Sequence, residues 1–193
     1  MTNTRFKSRS LDQMSPEQQQ VAQRSLAGPR QKVGPPFKTL LYSAGVADPV
    51  ERLGDYVRFN SSIPQRLTEL VILVIARHWT AQYPWSAHYV PAIESGLSAA
   101  VADQIAAGQR PTGMQPDETL VHDFCKDLLD GKGVSDTTFD ALSAAYGERG
   151  VVDLIGLMGY YFTLSMALVV DRHPPLKGKA PLLKPLAQGS AAV

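Results

Sequence analysis

The sequence predicts an all-α domain, and three observations carry that prediction. Apolar residues recur at helical spacing in one segment after another, as at Leu67, Leu70, Val71, Val74 and Ile75. Helix-start residues (Ser15, Pro64, Ser98, Ser135) precede these segments, and Gly28, Gly96, Gly108 and Gly147 follow them. No alternating strand pattern of useful length is present, nor any repeat at the spacing of known solenoids.

The elements follow in order. Ser15, Pro16 and Gln18 make a capping-box start for a helix that runs to about Ala27 and stops at Gly28-Pro29. "VGPPF" (33–37) reads as a rigid, non-helical connector. Phe37 to Ser43 reads as a short helix, and "DPVERLGDYVRFN" (48–60) as a longer one entered through Asp48 and Pro49. Pro64 opens a helix that is apolar on most sides. A further helix starts at Pro84 and ends near Gly96, and Ser98 caps another that reaches Gly108. Asp117 to Asp130 is helical, as is the segment from Ser135 to Tyr146, closed by Gly147. The last helix runs from Val151 to about Asp171. The organisation is therefore an N-terminal arm (1–14), one helical domain (15–172) and an extended, proline-rich tail (173–193), either loose or lying along a neighbouring subunit.

Composition narrows the function. The 193 residues suit one domain, and 44% hydrophobic with 19% charged is ordinary for a globular chain. A formal charge of +1 argues against nucleic acid as a partner. A single cysteine, Cys125, excludes an intrachain disulfide and a CxxC redox pair. The polar N-terminus lacks the apolar core of a signal peptide, so a cytoplasmic protein is expected, with a transit peptide as the alternative. Val151 to Val170 has the length of a membrane span. Asp153 and the adjacent Tyr160 and Tyr161 point instead to a buried helix in a helical oligomer, so no membrane partner is expected.

The stretch "TAQYPWSAHYV" (80–90) concentrates chemistry at a helix break. With Pro84 beginning a helix, the N–H groups of Trp85, Ser86 and Ala87 are left without intrahelical partners at the positive end of the dipole. His88, one turn in, leans back toward the same break. On the preceding helix Glu69 shares a face with Leu73 and Ala76 or Arg77. A lone acid among apolar residues needs a partner, and Arg66, Arg77 and His88 are the candidates, although Glu69 with Arg66 alone would make a surface pair. The blander reading is a packed corner, with Trp79 and Trp85 as core residues and Cys125 simply buried.

The run "RLTELVILVIARHWTAQYPWSAHYVPAIESGLS", with "GPPFKTLLYSAGVADPVERLGDYVRFNSSIP" before it and "VVDLIGLMGYYFTLSMALVV" after it, resembles the carboxymuconolactone decarboxylase family, whose relatives include the alkyl hydroperoxidase D proteins. The resemblance covers roughly residues 34 to 172 and implies an alkyl hydroperoxidase D-like helical bundle that forms oligomers. In the peroxidase branch a Glu precedes Cys-x-x-Cys-x-x-x-His. Aligned here, Glu69 and His88 keep the acid and the imidazole, while Ala81 and Pro84 replace both thiols and Tyr83 stands at that branch's extra histidine. The resemblance then implies the decarboxylase-type branch, with Glu69 and His88 as catalytic residues. Tyr83, Trp85, Arg77, His78, Trp79 and Ser86 are its candidates to contact substrate.

The reaction expected from this resemblance is cofactor-free acid–base chemistry, a decarboxylation or related lyase step. Its substrate would be a small organic acid or lactone of aromatic catabolism. Loss of CO2 leaves a carbanion that must be delocalised and protonated, which calls for a proton carrier, a cradle for charge and an apolar wall. No cofactor and no metal site are expected, since the four histidines lack ligand spacing and no glycine-rich nucleotide turn occurs. Thiol peroxidase activity is disfavoured without the cysteine pair, and a non-catalytic oligomeric binder of a small ligand is the third possibility.

Overall fold

The computed structural model describes residues 4–131 and 133–186, and its regular structure is helical throughout. After a 3-10 turn at Leu11–Gln13 come α1 (Pro16–Ala27), α2 (Pro35–Leu40), α3 (Ala44–Phe59), α4 (Gln65–His78), α5 (Gln82–Glu94), α6 (Ala99–Ala106), α7 (Pro116–Leu129) and α8 (Asp136–Asp171).

The centre of the fold is α4, which packs against α5, α6, α7 and α8. Every residue from Leu67 to Arg77 is buried, the outcome expected of a helix apolar on most sides. Around it α2 and α3 lie on α8, and α1 lies on α3. An ion pair ties these outer layers: Arg24 Nε reaches Glu51 Oε2 at 2.6 Å, and Glu51 is fully buried. Arg66 is held at α7 by Asp117 at 2.7 Å and by Glu118.

Three helix starts differ from the sequence expectation, two of them because proline sits within the first turn. Pro35 and Pro36 occupy the first turn of α2, so "VGPPF" is partly helical. Pro84 is the third residue of α5, which begins at Gln82 with Tyr83 already helical. In a first turn the N–H groups have no partner in any case, so proline costs little there. Pro49 lies deeper, in the second turn of α3, yet the first turn forms because Ser43 O accepts from both Val46 N and Ala47 N. Local prolines mark a helix start loosely.

The two last predicted helices join into α8, broken only at Gly147, where φ is 69° and ψ 168°. A left-handed residue at that point redirects the chain, and glycine adopts it without a Cβ clash. Beyond it, Asp153 is buried in the apolar run and fully engaged. It accepts from the Tyr56 hydroxyl at 2.8 Å and from Ser62 N and Oγ, both at 2.9 Å. By length and composition α8 is the one described helix able to cross a membrane, but 56% of its most apolar window is buried against this chain's own core. Val152, Ile155, Met166, Val169 and Val170 remain exposed along it.

Both ends of the described chain fold back. Near the N-terminus, Arg5 N donates to Asp171 O and Phe6 N to Asp171 Oδ1. The described part of the tail crosses α4 and α5 of its own chain rather than lying loose. Gln82 exchanges two hydrogen bonds with the Leu183 backbone, at 2.7 and 3.0 Å, and Leu183 is buried in the core. The tail's peptide groups thus find the partners that an extended segment cannot supply itself.

Candidate functional site

The corner between α4 and α5 is a tight helix stop. Thr80 N donates to Arg77 O and Ala81 N to Ala76 O, while Thr80 takes a left-handed φ of 48°. This is a Schellman arrangement with threonine where glycine is usual. The Thr80 hydroxyl accepts from Arg77 Nη2 at 2.8 Å, which helps to hold the unusual conformation. The turn folds α5 back along α4 and sets two of their side chains face to face.

Those side chains are Glu69 and His88. Glu69 Oε2 and His88 Nδ1 are 2.7 Å apart, and Gln65 Nε2 donates to Glu69 Oε1 at 2.7 Å from one turn earlier. A carboxylate only accepts, so Nδ1 carries the hydrogen that faces Glu69 and Nε2 is the basic nitrogen of the neutral ring. Glu69 is 1% exposed and sits behind the imidazole. No described protein group bonds Nε2. Arg66 and Arg77, the other candidate partners of Glu69, are engaged elsewhere.

His88 opens on a cavity of ≈ 320 Å³, which falls within the range of small-ligand sites. Four parts of the chain enclose it: the segment from Pro29 to Phe37, the end of α3, the first turns of α5 and the last third of α8. Arg30, Lys32 and Arg58 line it together with His88, and among the described residues no carboxylate does. Tyr161 lies edge-on to His88 with ring centres 5.3 Å apart, and Tyr160 lies edge-on to Tyr161 at 5.0 Å. Burial pushes both phenols above their ordinary pKa, so both stay protonated at neutral pH. Leu164 and Leu168 complete an apolar side.

The other residues marked by sequence are divided by the structure. Tyr83 lines the cavity, in edge contact with His173, and burial raises its pKa. Trp85 is 1% exposed and donates from Nε1 to Pro181 O of the tail. Ser86 Oγ donates to Tyr83 O and accepts from Leu176 N. Arg77 is buried, donating to the carbonyls of Ala106 and Lys184, and burial lowers its pKa. Trp79 packs on Phe162 with ring centres 5.0 Å apart, and His78 lies against both rings. These five lie away from the His88 cavity. The expected cradle of free amides at Trp85–Ala87 is also absent. Because α5 starts earlier, Trp85 N donates to Ala81 O, and the amides after it lie within the helix.

A second, larger cavity of ≈ 540 Å³ lies on the far side of α4, lined by Arg77, His78 and residues of α7. Several of its charges already pair with one another, Arg110 with Asp123 at 2.7 Å and Lys126 with Asp130 at 2.9 Å. It also holds an acid–imidazole pair, His122 Nδ1 and Asp123 Oδ1 at 3.0 Å, but that carboxylate is half-exposed and shared with Arg110, whereas Glu69 is buried behind His88. Cys125 is fully buried in the core, and burial pushes its thiol up to about 12. Among the described residues, no group of three or more His, Cys, Asp or Glu side chains is arranged to share a metal ion.

Compared with known proteins, the chain matches no family model and no curated sequence. The site's geometry therefore carries the functional argument.

Sequence reasoning missed Arg30, Gln65, Tyr160 and Tyr161. Arg30 stands in a glycine- and proline-rich connector that has no periodicity to assign it a face. The paired tyrosines did carry a signal, since a phenol inside an apolar helix calls for a polar neighbour. The polar neighbour of Tyr160 is Arg30, remote in sequence and visible only in the fold.

Proposed function

We propose that this chain is a cofactor-independent acid–base enzyme, a decarboxylase or related lyase acting on a small carboxylated lactone or ring-cleavage product. The observation that carries the reading is the Glu69–His88 pair at the wall of a cationic, aromatic cavity. His88 is the proton carrier. Glu69 is a positioning residue that fixes the tautomer and supports the imidazolium, with Gln65 holding the carboxylate in turn.

In the decarboxylation the bond between the carboxylate and the ring carbon breaks. Its electron pair stays on the substrate and delocalises into the lactone carbonyl as CO2 leaves. For this step Nε2 has first taken a proton from solvent, giving an imidazolium beside Glu69; its Nε2–H protonates the carbon, and the ring returns to the neutral Nδ1–H form. Cationic groups around the cavity favour the developing enolate, and the aromatic wall lowers the local dielectric. The resemblance to the decarboxylase-type branch supports the same reading.

The thiol peroxidase alternative finds no support in Cys125, whose buried, protonated thiol faces no cavity wall at His88. Self-association belongs to the proposal as well. The exposed apolar residues along α8, with Leu53 and Phe59 of α3 also exposed, favour a homo-oligomer.

The test offers a panel of carboxylated γ-lactones to the wild type, His88→Gln and Glu69→Gln, following CO2 release and loss of lactone absorbance. Turnover by the wild type and its collapse in His88→Gln, with helical circular dichroism retained, is the expected result. Equal turnover by all three proteins would sink the assignment.

A further inference from the structure

We infer that Arg30 and the hydroxyl of Tyr160 form the anchor for a substrate carboxylate, at the end of the cavity away from His88. This rests on the proposed acid–base reading of the same cavity and adds how the ligand is held.

Two buried polar atoms of residues that line this cavity, Arg30 Nη2 and the Tyr160 hydroxyl, make no well-formed hydrogen bond, and the two groups attract each other. They belong to neighbouring groups: the Arg30 guanidinium carbon is 5.7 Å from the Tyr160 ring centre. Buried donors left unpaired are uncommon in folded proteins, and each calls for an explanation. Here both belong to residues that line one cavity, with side chains at most 10% exposed.

The surroundings hold these donors in place without satisfying them. Asp55 Oδ1 accepts from Arg30 Nε at 2.9 Å, which fixes the plane of the fork and leaves Nη2 unpaired. The rings of Phe37 and Phe59 flank the guanidinium at 5.5 and 5.8 Å. A backbone without a Cβ makes room for both groups: a Cβ on Gly54 would sit 2.4 Å from the Tyr160 ring and 2.6 Å from Arg30 Nη2. Tyr160 stays a neutral donor, since burial raises its pKa more than the nearby arginines lower it.

A planar guanidinium beside a phenolic O–H suits the two oxygens of a carboxylate. Lys32 and Arg58 add positive charge at the same cavity, and its apolar side favours an organic acid over inorganic phosphate. The adjacent rings of Tyr160 and Tyr161 separate this anchor from His88. That separation has a consequence for the reaction. Pairing a carboxylate with arginine stabilises its charge and opposes its loss, so the group held by Arg30 is one the product retains. The reacting carbon lies at the His88 end.

The experiment titrates benzoate and its neutral isostere benzamide by calorimetry into the full chain, as wild type, Arg30→Gln and Tyr160→Phe. Circular dichroism checks the fold, and inorganic phosphate serves as competitor. Saturable benzoate binding, weakened about tenfold in Arg30→Gln and less in Tyr160→Phe, is expected from loss of charge-assisted hydrogen bonds. Benzamide binding is expected to be weak in all three. Should Arg30→Gln fail to fold, Tyr160→Phe decides, because it removes only the hydroxyl. No benzoate binding by the wild type, equal binding of benzamide, tighter binding of phosphate, or unchanged affinity in the folded variants overturns the anchor. The turnover assay with His88→Gln reads the acid–base reading separately. Benzoate binding that depends on Arg30 keeps the anchor even if that reading fails.

Discussion

Glu69 Oε2 and His88 Nδ1 are 2.7 Å apart across the α4–α5 corner, with the acid buried and the imidazole on the cavity wall. The first prediction follows from that division of labour. Glu69→Gln keeps a hydrogen-bonding group behind the ring but removes the charge that supports an imidazolium. Turnover is expected to fall by about 10²–10⁴-fold, in the range of general acid–base contributions. KM is expected to change little, because Glu69 does not line the cavity. Steady-state kinetics read the split, and a loss confined to KM would place Glu69 in binding instead.

Asp153 gives a prediction about stability and its pH dependence. Burial alone would raise its pKa, but hydrogen bonds from Ser62 N, the Tyr56 hydroxyl and Ser62 Oγ more than offset this and lower it. A carboxyl depressed in the fold contributes stability above its unfolded pKa, and that contribution is lost as pH falls through the lower, folded value. Asp153→Asn is expected to cost about 1.5–3 kcal/mol at neutral pH, the scale of hydrogen bonds to a charged group. Urea melts at neutral and acidic pH check both parts. The gap between variant and wild type should narrow in acid, and a constant gap would remove the charge from the explanation.

Cys125 is expected to be chemically silent in the folded protein. With its thiol pushed up to about 12 by burial, almost none is ionised at neutral pH, and no reagent reaches it. Ellman's reagent should label it only after denaturation, and Cys125→Ala should leave any peroxide consumption at the wild-type level. Rapid labelling of the native chain contradicts the core placement.

The tail is a brace over α5. A chain ending at His173 loses the partners of Gln82, Trp85 Nε1 and Ser86 Oγ and uncovers Trp85. Its melting temperature is expected to fall by several degrees, on the scale of about 2 kcal/mol, and its tryptophan emission to shift to the red. Unchanged emission would mean that the tail does not cover Trp85.

Some of this molecule was legible residue by residue. The Ser15–Gln18 capping box forms as read, with Ser15 N donating to Gln18 Oε1 at 2.9 Å and α1 ending before Gly28. Gly147 breaks α8 where a stop was expected. Such signals are local, because a cap or a left-handed turn is decided within a few residues. The start of α5 was misplaced for a related reason. Pro84 is compatible with several positions in a first turn, and the Ala81–Ala76 hydrogen bond fixes which one is used.

By itself, the sequence determined an all-helical chain, its approximate helix boundaries and the residues Glu69 and His88 as a pair of interest, since period, caps and spacing are properties of neighbours along the chain. Tertiary structure alone decided that His88, rather than an arginine, partners Glu69. It also committed Trp85, Ser86 and Arg77 to the tail, and brought Arg30 from a connector beside Tyr160, 130 residues away. Contacts between distant segments depend on how helices pack and where a strap of chain comes to rest, and no short window of residues encodes either.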